Sequence, residues 1–204
     1  HTLMLTVLCF YVQLTDSHIS LETPVSKNAA WWTYGASSVS HHGNAHFLTN
    51  ILSIIIFGTL LEIVHGSFAV FSIFWYSAIS GATWHAALES EPGNYRGASP
   101  GVYGIICAYL SHVIINWKEA PFRVLWIILI ITEAVTVMLL YESSDYYKER
   151  VAHWSHAFGA IQGGLISLLA LKNMVVHKWE LVLQVIAFFS SLSLIILNVV
   201  IIYK

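Results

Sequence analysis

Six runs of apolar residues, each long enough to cross a bilayer, follow a shorter run at the start of the chain. That repetition leaves few folds open. The long runs occupy residues 46–64, 67–88, 99–117, 124–141, 152–171 and 181–203, after the opening run 2–14. A helix rises about 1.5 Å per residue, so roughly 20 apolar residues cross the ~30 Å hydrocarbon layer. Backbone polar groups facing lipid must be satisfied within their own segment, so runs of this kind read as helices. The expected fold is an all-α membrane protein, a polytopic helical bundle in which residues 1–204 form a single transmembrane domain. The opening run is too short for a complete span and residue 1 is His, which leads to the expectation that a further N-terminal segment precedes it.

Composition agrees: 57% of the residues are hydrophobic and 10% charged, against about 25% charged in soluble domains. The nine Lys and Arg are scattered without a basic stripe and the formal net charge is −2, which points away from nucleic acid and toward the lipid bilayer as partner. Cys9 and Cys107 fall in separate apolar runs, where a disulfide between them is not expected. A charged n-region and a small-residue cleavage site are both missing, so no signal peptide is read. Lys and Arg divide too evenly between the two sides to fix orientation. Two connections stand out. Residues 16–45 hold Pro24, Trp31, Trp32 and Tyr34 and read as a loop partly embedded at an interface, where such aromatics are favoured. Residues 89–98 are polar and Gly-rich and run directly into Ser99.

Chemistry concentrates at the beginnings of three runs. Gly97-Ala98-Ser99-Pro100-Gly101 fits G-x-S-x-G, and Pro100 suits a first helical position, so Ser99 is predicted at the N-cap of the fourth span. Taken alone, the motif is equally compatible with a serine that only caps a helix. Near the start of the sixth span His156 precedes Gly159 and Gly163, a spacing of small residues that lets helix backbones approach closely in lipid. The fourth span offers a matching face in Gly97, Gly101 and Gly104. Packing explains the glycines but not an imidazole beside them, because ionisable groups at membrane depth are costly and usually functional. At the start of the second span His46 and Asn50 are four residues apart, on one helix face. They could bond loop carbonyls, or aim two donors at one point as an oxyanion requires. The second, fourth and sixth spans are separated by even numbers of crossings, so they run in the same direction and their first turns share a depth. His46, Ser99 and His156 are therefore predicted to meet.

These motifs resemble the rhomboid family of intramembrane serine proteases, over residues 31–171. The run Leu61-Glu62-Ile63-Val64-His65-Gly66 is similar to the end of the second span in animal secretase-type members, and a span after His156 resembles their arrangement of six core helices plus a C-terminal seventh. The resemblance implies that Ser99 is the nucleophile and His156 its general base, with Gly159 and Gly163 below it. It implies oxyanion roles for His46 and Asn50, and stacking of Tyr103 on the catalytic imidazole. It also implies a structural role in the first loop for His41, and a supporting one for Gly97 in the serine motif. The family's Trp-Arg pair is Trp32-Thr33 here, and Pro100 stands where glycine is usual. The implied activity is endopeptidase cleavage of single-pass transmembrane substrates by a Ser-His dyad, with no cofactor and no metal, in the secretory pathway or plasma membrane rather than mitochondria. The alternative is a non-catalytic rhomboid-like adaptor that binds membrane-protein clients.

An acidic partner for His156 is not required in a dyad, although Asp145 and Glu149 in the preceding connection could approach. Glu133, alone in the fifth span, must face protein or a cavity. A soluble α/β-hydrolase is excluded because it needs a strand before the serine, and a zinc protease because H-E-x-x-H is missing. A haem protein would need histidines paired across spans, with His46, His85, His112 and His156 as the available residues.

Overall fold

The computed structural model describes residues 1–15, 25–41, 43–89, 95–142 and 152–204, with the side chains of 133–142 outside that description. The elements are α1 (Thr2–Thr15), α2 (Thr33–Ala36), α3 (Asn44–His65), α4 (Ser67–Leu88), α5 (Ser99–Ile115), α6 (Arg123–Glu142), α7 (His153–Ala170) and α8 (Lys178–Ile202). No strand occurs among the described residues. Each apolar run of the sequence is thus a helix, with ends within a few residues of those expected. Among the described residues, α3 and α8 are long and apolar enough to cross a membrane, at mean hydropathies of 2.1 and 2.7. Only the single residue Gly66 separates α3 from α4. It adopts φ 91°, a region open to glycine and costly for other residues, so the chain can reverse there without a longer loop.

Two features of the elements were not anticipated. The middle of α3 is a π-turn over Ile54–Gly58, and the first long loop contains the one-turn helix α2. In the described part of that loop Trp31 and Trp32 are exposed, while Tyr34 is buried and packs with Val25, Ala82, Ala86 and Tyr95. Helix α5 ends at Ile115 rather than residue 117, because Asn116 leaves the helix at φ −118°, ψ 34° and its side chain binds another connection. Cys9 and Cys107 are both free, as expected.

The middle of the protein is α4, α5 and α7. Val70, Ile73, Phe74 and Ala78 of α4 pack with Val102, Ile105 and Ala108 of α5 and Leu168 of α7 in one buried cluster. α8 lies outside it, with Leu181, Val182, Val185, Ile186, Phe188 and Phe189 exposed, an apolar surface suited to lipid. Its inner face is attached by polar bonds. Tyr76 pairs with Ser191, the Ser191 hydroxyl donates to Gln162 Oε1 at 2.9 Å, and Gln184 donates to the Leu168 carbonyl at 3.3 Å. Such interhelical bonds are worth about 0.6 to 2 kcal/mol each in a bilayer, and this set joins α8 to α4 and α7.

The far ends of α3, α5 and α7 are knotted together. The Lys172 amide donates to His65 Nδ1 at 2.9 Å, so the His65 proton resides on Nε2, which donates to His112 Nδ1 at 2.9 Å. Asn116, fully buried, donates to the Lys172 carbonyl at 3.3 Å and accepts the Met174 amide at 2.7 Å. Asn116→Ala removes both bonds at once. A buried donor or acceptor left without a partner costs ~1–3 kcal/mol, so the variant is expected to melt several degrees below wild type in lipid nanodiscs. A melting temperature equal to wild type would show that the knot holds nothing.

Candidate active site

Ser99 begins α5, His156 lies in the first turn of α7, and the structure brings them together: Ser99 Oγ is 2.7 Å from His156 Nε2. What permits this approach is the contact between the two helices. A methyl group built on Gly159 would fall 2.6 Å from the Pro100 carbonyl oxygen and 2.7 Å from Pro100 Cβ. One built on Gly163 would overlap the backbone of Gly104, and one on Gly104 would overlap Ser77 of α4. Glycine at 159, 163 and 104 therefore sets the separation of α5 and α7, and with it the distance between hydroxyl and imidazole.

The glycine face differs in part from the expected one. Gly104 touches α7 through its Cα, which a methyl on Gly163 would reach within 2.3 Å, but its own side-chain direction faces Ser77 of α4; Gly101 likewise faces the ring of Phe74 on α4, and Gly97 lies against the His46 ring. The reason is angular: three residues turn a helix by nearly a full revolution, so 101 and 104 lie close together on the surface and both look toward α4. Pro100, which departs from the family pattern, fills the notch left by Gly81 and Gly159; a methyl on Gly81 would come within 2.6 Å of its Cβ. Ser77 and Gly81 escaped sequence reasoning, although they repeat on α4 the same four-residue spacing of small residues that marked α7.

Ser99 is not the N-cap. That position belongs to Ala98, which is already helical at φ −72°, ψ −4° and accepts the Val102 amide at 3.0 Å. Ser99 and Pro100 are thus the first two helical residues, and the hydroxyl is engaged by His156 rather than by its own helix. The backbone leading to it is held from the first loop. The Ala98 amide donates to His41 Nε2 at 3.3 Å, and the Gly97 amide donates to the Ser37 carbonyl at 2.9 Å. Gly97 has φ 150°, and a methyl there would reach within 2.7 Å of His46 Cε1 and 3.5 Å of Ser99 Oγ. His41 in turn packs edge-on against His46, with ring centroids 5.5 Å apart.

The remaining predicted residues fall around this centre. Tyr103 stacks on His156 with centroids 4.7 Å apart and planes 30° from parallel. Asn50 is buried, and its side-chain nitrogen meets no acceptor among the described residues. Three further imidazoles, His46, His85 and His153, lie within electrostatic range of His156. His85 was weighed only as a haem ligand; it is buried at the end of α4 with its ring 5.0 Å from Tyr95. On the same side Trp84 stacks flat on Phe158 of α7, centroids 3.9 Å apart, bracing the turn that carries His156. Asp145 and Glu149 lie outside the described residues, as does the side chain of Glu133. Among the described residues no group of three His, Cys, Asp or Glu side chains is placed to hold a metal.

The apolar helices and the meeting of Ser99 with His156 agree with the motifs of the sequence. The Rhomboid domain family model matches residues 28–173, and the chain belongs to the rhomboid family. It is 27% identical over 163 residues to Rhomboid-related protein 1 of Caenorhabditis elegans, an alignment covering 78% of this chain and 45% of that protein. With Rhomboid-related protein 2 of Mus musculus it is 29% identical over 103 residues, 48% of this chain and 34% of the relative. The chain thus spans less than half the length of these curated relatives.

The packing argument distinguishes two adjacent glycines. A methyl on Gly164 would sit 3.7 Å from Cys107 Cβ, an ordinary contact, whereas one on Gly163 has backbone in its way. Overpacking of this kind costs ~1–3 kcal/mol. Gly163→Ala is expected to lower the melting temperature and to reduce labelling of Ser99 by a fluorophosphonate at least tenfold, while Gly164→Ala leaves both near wild type. Equal behaviour of the two variants would refute the role given to the glycine contact.

Proposed function

We propose that this chain is a multi-pass intramembrane serine endopeptidase, which hydrolyses peptide bonds in or beside the transmembrane segments of single-pass membrane proteins. The observation that carries the reading is the 2.7 Å approach of Ser99 Oγ to His156 Nε2, made between two helices whose separation leaves no freedom to drift. Family membership supports it, as does a third helix, α3, bringing polar groups to the same end of the bundle. The proposed architecture has α1 and α3 to α8, without the loop helix α2, as seven spans, six forming the core and α8 the addition. The proposed setting is the secretory pathway or plasma membrane.

In the reaction His156 takes the Ser99 proton as Oγ attacks the scissile carbonyl. The negative charge then developing on the carbonyl oxygen is met by donors from His46, Asn50 and the Ser99 amide. His156 returns the proton to the departing amine, and water activated by the same imidazole hydrolyses the acyl-enzyme. The unpartnered side-chain nitrogen of buried Asn50 suits an oxyanion donor, since its acceptor would arrive only with the substrate. Tyr103 holds the imidazole plane, and His41 holds the amide before the nucleophile. Neither would change protonation. A non-catalytic adaptor would place no demand on the pairing of Ser99 with His156, and the intact pair favours the protease.

The test is cleavage of a single-pass reporter in liposomes. Ser99→Ala and His156→Ala should give no product, while His153→Ala should keep most of the activity. Loss of one oxyanion donor typically costs about 10²–10³ in kcat, so Asn50→Ala should fall by that factor with KM little changed. The same product pattern from wild type and Ser99→Ala would end the protease reading.

A further inference from the structure

In the knot at the far ends of α3, α5 and α7, a backbone amide fixes where the protons are. The Lys172 N–H can only donate, so His65 Nδ1, 2.9 Å away, is a bare acceptor. The His65 proton is therefore on Nε2, which donates to His112 Nδ1 at 2.9 Å, and that atom carries no proton either. A second donor agrees: the Asn116 side-chain nitrogen is 3.3 Å from the same His112 Nδ1, and the Met174 amide on the Asn116 oxygen sets which way that side chain points. Both imidazoles are thus neutral, and both bare nitrogens are occupied as acceptors. His65 is buried and His112 partly exposed.

A further proton cannot enter this chain of bonds without breaking it. On His65 it would occupy Nδ1 and set an N–H against the Lys172 N–H. On His112 it would face both the His65 N–H and the Asn116 amide. The charged groups at this end do not offset that cost. Lys172, within electrostatic range of His65, is itself a cation. Glu62, one turn before His65, is bound to Thr2 of α1 and Ser67 of α4, and Glu180 of α8 to Asn173 and the His177 amide. Arg123 of α6 donates to the Trp117 carbonyl. Among the described residues neither ring forms an ion pair with Lys118, Glu119 or any other charged side chain.

We propose that His65 and His112 form a proton-released latch, closed while both imidazoles are neutral and opened as the pH at that end of the bundle falls below about 6.5. The sign follows from proton binding. Released imidazoles take up protons as free histidine does, whereas the latched pair takes none. From about pH 7.5 to about pH 5.5 each released imidazole favours opening by about tenfold, and the two together by about a hundredfold. Latch and dyad lie roughly 20 Å apart along α5 at 1.5 Å per residue. Opening therefore acts on the active site through the helices that carry His46, Ser99 and His156, whose far ends lose their tie. The latch is a property of the fold and stands whether or not the chain is a protease.

The test is amide hydrogen exchange of the full chain in lipid nanodiscs at about pH 7.5 and about pH 5.5, compared as protection factors at Lys172 and at Ala78 in the buried middle of α4. Wild type should lose about a hundredfold of its protection at Lys172 and less than about threefold at Ala78. In His112→Asn the new side-chain oxygen can stand where Nδ1 stands and accept the same bond without taking a proton, so this variant should lose only about tenfold. Should it fail to fold, the wild-type comparison decides alone. Unchanged protection at Lys172, an equal loss at Ala78, or the full wild-type loss in folded His112→Asn would each overturn the proposal.

Discussion

Backbone contact between α5 and α7 is the constraint on which the rest of the site depends. In lipid there is no hydrophobic drive to press two helices together, so close approach must come from shape and interhelical hydrogen bonds. Here the shape is supplied by Gly104 and Gly163, by Pro100 seated against Gly159, and by Ser77 and Gly81 of α4 on the third side. Ser77 donates to the Ile73 carbonyl of its own helix at 2.6 Å, which turns its hydroxyl inward and lets a polar residue act as a small spacer. The result is a three-helix junction with little slack, and the pair at its mouth inherits that rigidity. A serine and a histidine on well-separated helices would gain nothing from sharing a depth.

The same three-way arrangement explains why α3, α5 and α7 are parallel. Their first turns converge where the His46 ring, Ser99 and His156 meet, and their other ends converge where His65, His112 and the Lys172 amide meet. Two tie points, one at each end, fix both the tilt and the axial register of a helix. Between them α3 carries a π-turn at Ile54–Gly58, an extra residue in the helical count that alters the register between its two halves. The π-turn also puts Gly58 against Thr2 of α1, where a methyl would lie 3.2 Å from the threonine Cγ2. The helix carrying His46 and Asn50 is therefore held by both of its ends and by a neighbour at its middle.

Much of this was legible in the sequence, for identifiable reasons. Helix positions follow from length and composition, because a bilayer leaves little choice about either. The meeting of His46, Ser99 and His156 follows from counting crossings, which needs only parity. What was not legible depended on competition between distant partners. Ser99 looked like an N-cap because capping is the local use of a serine before proline, and the competing imidazole comes from 57 residues further along. Ser77 and Gly81 looked like ordinary small residues in an apolar run. His112 was considered only as a ligand for a cofactor, since nothing in the sequence says that His65, 47 residues earlier, would be its hydrogen-bond partner.

The division of labour between loop and bundle also follows from these contacts. The helices fix where the hydroxyl and imidazole are, but the segment entering Ser99 has no helix to hold it from residue 95 to 98. It is held by the first loop, through His41 on the Ala98 amide and the Ser37 carbonyl on the Gly97 amide. That loop is itself anchored by Tyr34, which packs on Ala82 and Ala86 of α4, and by Lys27, which donates to the Ile201 carbonyl at the end of α8 at 3.4 Å. An arginine after Trp32 is therefore not needed to secure the loop here, because Tyr34, Lys27 and His41 connect it to three separate parts of the protein. The extra helix thus reaches the site end indirectly: its last turn receives Lys27 of the first loop, and that loop holds the backbone from which the nucleophile projects.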